Sequence, residues 1–435
     1  MQPLTSVKLS DQSPPSGPGL PPRPRSIEET GLSLSYISDM VLRALYIIGE
    51  MTGQMIVEEL HLPYENVIDQ AIAYLRREQM VEIKGAGGIG EKAYRYQATS
   101  KGVGRAKEIG ERTQYMGPAP VPLSAYAEMM RKQTTQGLLV TEEAIRQACS
   151  HLVLSDALLQ QIGPAINSGR SIFLFGHAGN GKTSIAEAVA KLMSDTIVIP
   201  HAVVVAGQVI RVFDPIHHEQ VPLPRDQEVL YDRRWVLSKR PVVVAGGELN
   251  MASLDLVYDE YSKYYEAPLQ MKANGGLFLI DDFGRQQMRP RDLLNRWIVP
   301  LEKRVDYLTL HTGKKIEVPF DQLIIFSTNI EPKQLVDEAF LRRIRYKIEV
   351  RNPTEHEFRE IFRREAETRG LTYDDAVVDH VLRAWYGGRE LRGCHPKDIV
   401  EAVLDAARYE GREPTLTREA VDDACRTYFL HEPAR

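Results

Sequence analysis

The sequence predicts an α/β protein in three parts: a parallel sheet layered between helices, an all-α unit behind it, and a smaller α+β unit in front. Three observations predict it. From about Gly137 to Val350 short apolar runs alternate with helical periods, the order of a sheet covered on both faces. From Pro353 onward four amphipathic helical periods follow one another with no strand between them. Between Tyr36 and Thr113, apolar residues at three-to-four spacing give way to two alternating runs, "MVEIKG" and "AYRYQAT", around the glycine-rich "AGGIGE".

Taken in order, the chain opens with seven prolines in its first 25 residues, a composition that cannot offset the entropy of folding, so residues 1–35 are expected to be a disordered Pro-rich leader. Residues 36–115 form the α+β unit, whose helix, helix, helix, strand, strand order resembles a winged-helix domain. Residues 116–136, with three prolines in "MGPAPVPLSAY", read as a linker or a strap over the α/β core. Residues 137–352 are that core and 353–435 the helical unit.

A net charge of −5 and a pI near 6.2 give no overall attraction to nucleic acid or anionic membrane. Residues 36–115 carry ten Lys or Arg against eleven Asp or Glu, and the helix that would enter a DNA groove opens with Glu65 and Asp69. Carboxylates at a helix N-terminus repel phosphate, so this unit is expected to dock an unidentified protein client; nucleic acid is possible but not favoured. Cys149, Cys394 and Cys425 are far apart and odd in number, which argues against a disulfide framework. With no apolar run of about 18 residues, no membrane insertion is expected, and the chain is assigned to the cytoplasm.

The chemistry concentrates in two stretches. "SIFLF" is a buried strand, "GHAGNGKT" (Gly176, His177, Ala178, Gly179, Asn180, Gly181, Lys182, Thr183) fits the G-x-x-x-x-G-K-T phosphate loop in full, and a helix follows from Ser184. The glycines let backbone N–H groups turn inward around phosphate oxygens at a helix N-terminus, whose dipole favours anions. Lys182 would reach the β and γ phosphates of ATP and Thr183 would ligate Mg²⁺. Downstream, "LFLIDDF" is a second buried strand ending in two carboxylates: Asp281 for the Mg²⁺ shell and Asp282 as general base on the attacking water.

With these motifs in place, the chain from Gly137 to its C-terminus resembles the AAA+ ATPases, P-loop NTPases with an αβα sandwich and a C-terminal lid. The resemblance implies further roles. "QLIIFSTNI" matches the sensor-1 strand, with Asn329 orienting the lytic water. "DEAFLRRIRYKI" matches the segment carrying the arginine finger, Arg343 first and Arg342 as the alternative. The lid's sensor-2 position is filled by Lys397 where arginine is usual, with Arg392 as a substitute. Asp282 stands where the family has Glu, one methylene longer. A finger acting in trans implies a homo-oligomeric ring, hexameric in this reading.

"RVDYLTLHTGKKIEVPFDQ" reads as a hairpin just before sensor 1, as in the MoxR and magnesium-chelatase branch, and Asp281 lies 99 positions beyond Lys182, leaving room for an insert. That insert holds Tyr258, Tyr261, Tyr264 and Tyr265, with Tyr231 upstream, residues that suit a core or subunit interface better than a pore. His217 and His218 are adjacent and point to opposite faces of a strand, a poor metal pair. The resulting expectation is an ATP-hydrolysing, ring-forming remodeller of a protein partner. The alternative is a nucleotide-gated DNA-binding regulator using the winged helix, and a weaker one is a chelatase-like subunit.

Overall fold

The computed structural model describes residues 19–88, 90–223 and 230–429. At its centre lie five parallel strands in the order Val242–Ala245, Leu277–Ile280, Leu323–Thr328, Ile172–Phe175, Tyr346–Glu349. Strand alternation divides their side chains between two faces. Phe173, Phe278 and Phe326 point to one side, where they pack with Phe283, Leu294 and Trp297. Ile172, Leu174, Leu279 and Ile325 point to the other, against Ile162, Ile166, Ile185 and Val189 of the helices Asp156–Asn167 and Lys182–Leu192. Both faces are covered, which is why these strands read as unbroken apolar runs.

The C-terminal unit is the four-helix lid: Glu355–Thr368, Asp375–Trp385, His395–Glu410 and Arg418–Tyr428 around Phe358, Phe362, Val381, Val400 and Val421. A capping box between Thr354 and Glu357 starts its first helix. The fold is thus a P-loop αβα sandwich with an all-α lid.

The N-terminal unit holds the helices Leu34–Ile48, Gly53–Leu60 and Asp69–Arg77, a three-stranded antiparallel sheet with Tyr94–Ala98 between Met51–Thr52 and Val81–Ala86, and a closing helix Ser100–Gly110. Glu65 does not open the third helix as the sequence suggested. It sits in a kink, followed by Asn66 at φ 62°, and the regular helix begins only at Asp69.

One expectation needs correction. Residues 1–18 of the leader lie outside the described residues, but Ser26 caps a short helix Ile27–Thr30, the next helix begins at Leu34, and Pro22 bridges to Tyr231. The extended leader therefore does not run to residue 35. Of the two readings of 116–136, linker or strap, the packing fits the strap and not a loose linker. Val121–Pro122 adds as a parallel strand to Ala202–Val205, and the helix Leu123–Lys132 buries Tyr126, Met129 and Met130.

That strand belongs to a second sheet built by the insert, in the order Val257–Asp259, Tyr264–Glu266, Gln208–Arg211, Ala202–Val205, Val121–Pro122. The predicted hairpin, Val305–Thr309 with Lys315–Pro319, turns at Gly313 and buries Leu308, Leu310, Ile316 and Val318 in the insert's apolar cluster. A buried ion pair ties the N-terminal unit to this region: Arg234 donates to both oxygens of Asp232, to Thr30 O at 2.8 Å and to Pro120 O at 3.4 Å. No helix among the described residues is long and apolar enough to cross a membrane.

Candidate nucleotide site

Register brings the chemical residues to one end of the sheet. Phe175 pairs with Thr328, and Ile280 with Phe326, so the loop from Gly176, the Asp281–Asp282 pair and Asn329 leave neighbouring strands at almost the same level. The phosphate loop needs its glycines for space as well as conformation. Gly176 has φ 141°, and a Cβ there would collide with Val350 O; Gly179 has φ 82°, and its Cβ would collide with Cys394 Sγ of the lid.

Lys182 is buried on the first turn of its helix, and its Nζ donates to Gly176 O at 3.0 Å, His177 O at 2.9 Å and Asn329 Oδ1 at 2.6 Å. Burial pushes its ammonium below the ordinary lysine range, against the opposing pull of Asp281 and Asp282. Asn329 reaches both ways, since its Nδ2 donates to Asp282 Oδ1 at 2.9 Å. Thr183 Oγ1 donates to Asp281 Oδ2 at 2.9 Å. These are two exposed hard oxygens side by side, a donor set that suits Mg²⁺ with few protein ligands. Asp282 adopts φ 47°, unusual for a residue with a side chain. His177 and Ala178 are exposed at the loop tip, and Ser184 is half-buried on the first helical turn.

Of the two cations that the resemblance offered for the lid, Arg392 is the one near the loop. Lys397 is exposed on the first turn of the helix His395–Glu410. Arg392 instead lies against the loop, its charge among those acting on Lys182, and its Nη1 donates to Asn352 Oδ1 at 2.8 Å. The "RGCHPK" stretch contains two cations, and only the fold decides which one faces inward. Arg343 and Arg342 lie apart from these groups, in an open groove of about 630 Å³ that they share with Arg170, Glu302 and Arg345. There Arg343 Nε donates to Glu302 Oε1 at 2.6 Å.

Sequence reasoning missed two features. A groove of about 560 Å³ runs beside the phosphate loop, with Leu154, Leu158, Val350, Pro353 and Ile361 supplying apolar walls and Asn180 one polar end. Its walls come from three distant segments, so no local motif marks it. Also missed was the side chain of Asn180, which donates to Asn352 Oδ1 at 2.8 Å and accepts from Gly393 N at 3.2 Å. Of the insert's tyrosines, Tyr265 is buried and bonds His311 at the hairpin turn, Tyr264 stacks edge-on with Tyr115, and Tyr261 is 88% exposed. His218 uses both ring nitrogens internally, on Asp214 N and Lys272 O.

Fold and geometry together define a P-loop αβα protein with a helical lid. Residues 354–427, the lid, match a family described as a domain of unknown function, DUF8689. No curated protein matches the chain. Among solved structures, it is similar to NtrX from Brucella abortus in complex with ADP, at 15% identity over 67% of this chain and 59% of that one, with a TM-score of 0.41. It is also similar to a point mutant of RuvB from Thermotoga maritima, at 13% identity over 68% and 72% of the two chains, with a TM-score of 0.35. The chain thus spans under two thirds of NtrX's length, and likenesses this distant say nothing about its activity.

Proposed function

We propose that the chain is an ATP-binding and ATP-hydrolysing AAA+ protein that assembles through its arginine groove and remodels a protein partner. One observation carries the reading: Lys182, Thr183, Asp281, Asp282 and Asn329 join in a single hydrogen-bonded cluster at the end of the phosphate-loop strand. In this mechanism the loop and Lys182 receive the β and γ phosphates, and the groove beside Asn180 receives the nucleoside. Asn329 orients a water in line with the γ phosphate, and Asp282 takes its proton. Thr183 and Asp281 would hold Mg²⁺, which supplies positive charge to the phosphate oxygens. The cluster holds no arginine finger of its own, so Arg343 of a neighbouring subunit, or Arg342, is assigned to the charge developing on the transferred group. Residues 36–115, in winged-helix order, are the docking unit for the client.

The DNA-binding alternative has less behind it. Lys92, which would face a phosphate backbone, pairs with Glu65, and Arg23 pairs with the same carboxylate at 3.3 Å. The test is steady-state ATP hydrolysis beside equilibrium binding, in the native protein and in Lys182→Ala. Turnover in the native protein that disappears in the variant is expected. A native protein that binds no ATP overturns the reading.

A further inference from the structure

The lid does not merely follow the core; it is fastened to the phosphate loop at one polar node. Asn180 Nδ2 donates to Asn352 Oδ1 at 2.8 Å while Asn180 Oδ1 accepts from Gly393 N at 3.2 Å. The same Asn352 oxygen accepts from Arg392 Nη1 at 2.8 Å. Asn180 belongs to the loop, Asn352 to the hinge between the strand Tyr346–Glu349 and the helix Glu355–Thr368, and Arg392 and Gly393 to the lid. Asn180 is 8% exposed, so water competes poorly for these bonds. Beneath the node, Cys394 packs so closely that Gly179 has no room for a Cβ.

We infer that Asn180 and Asn352 are positioning residues that latch the lid to the phosphate loop, so that the loop's nucleotide occupancy and the lid's position are coupled through this node. The inference rests on the nucleotide-binding reading for its ligand, though not for its geometry. A lid held close in advance leaves less of the nucleotide's binding energy to be used in closing it.

The chain carries its own reporter. Cys149 and Cys425 are 4% and 0% exposed, whereas Cys394 is partly exposed at the lid–loop contact. The experiment measures N-ethylmaleimide labelling of each cysteine by mass spectrometry, together with binding of a fluorescent ADP, in the full chain and in Asn180→Ala, Asn352→Ala and Asn352→Asp. Loss of the node is expected to speed Cys394 labelling by about fivefold, the worth of one hydrogen bond, and to weaken ADP binding by a similar factor in both alanine variants. Asn352→Asp keeps an acceptor for both donors but loses the Asn352 Nδ2 bond to Glu390 Oε2 at 3.3 Å, and is expected to label more slowly than Asn352→Ala though faster than the native protein. Unchanged Cys394 labelling in both alanine variants overturns the latch. So does simultaneous labelling of Cys149 and Cys425, which would mean a loosened fold. If the native protein binds no ADP, the nucleotide reading fails, while the Cys394 rates still decide whether the latch exists.

Discussion

Asp282 shows how much one backbone angle can explain. The resemblance calls for glutamate there, but the residue sits at φ 47°, a left-handed conformation that aspartate and asparagine visit more readily than longer side chains. The shorter carboxylate meets Asn329 Nδ2 at 2.9 Å in that conformation, so its length fits its backbone. Asp282→Asn keeps the conformation and removes the proposed base, and turnover is expected to fall by about a hundredfold or more with nucleotide binding retained. Asp282→Glu introduces the residue that the resemblance calls for at a strained position. A melting temperature below that of the native protein, with no gain in kcat, is expected; a faster enzyme of unchanged stability would show that the backbone angle does not select the residue. The phosphate loop and the DD pair were legible because they are local motifs. The shared bond of Asn180 and Arg392 to Asn352 was not, because it joins residues about 170 and 40 positions apart along the chain.

Among the elements, the seam between the N-terminal unit and the insert is the least legible part of the sequence and the most exposed to test. Helices and strands showed in their periods, yet nothing in "APVPLSAY" announces that Val121–Pro122 will pair with a strand some 80 residues on, since two residues carry no periodicity. At the seam, Arg234 and Asp232 are 3% and 4% exposed. Arg234→Ala leaves a buried carboxylate without its partner and strips a donor from Thr30 O and Pro120 O. A loss of about 3–5 kcal/mol is expected in denaturant unfolding, against a smaller one for the paired change Asp232→Asn with Arg234→Met. The seam also responds to pH. Burial, reinforced by His61, pushes the His201 imidazole down to about 4, and the two rings meet edge-on at 5.2 Å. Such a histidine gains a proton on unfolding. Its contribution to stability is full above the ordinary value near 6.5 and is lost as pH falls toward 4. Melting temperature is therefore expected to drop between pH 7 and 5, and less steeply in His201→Phe, with the remaining slope shared by His218 and His395, both held near 4, and by His61 and His217, which burial also lowers.

For the whole molecule, the question is whether one chain contains a complete site. Lys182 and Asp282 share a hydrogen-bonded cluster, whereas Arg342 and Arg343 lie in a separate open groove with Glu302. A finger that must reach a phosphate from there needs a second chain to bring the phosphate to it. Lys182→Ala retains the groove and loses the nucleotide site; Arg343→Ala retains the site and loses the proposed finger. Each alone is expected to be inactive. Mixed in equal amounts, they form interfaces where an intact groove faces an intact site, so part of the native turnover should return, rising with protein concentration. Two inactive proteins that stay inactive when mixed, under conditions where light scattering shows that they assemble, would mean that Arg343 does not act across the interface, and that its bond to Glu302 is structural.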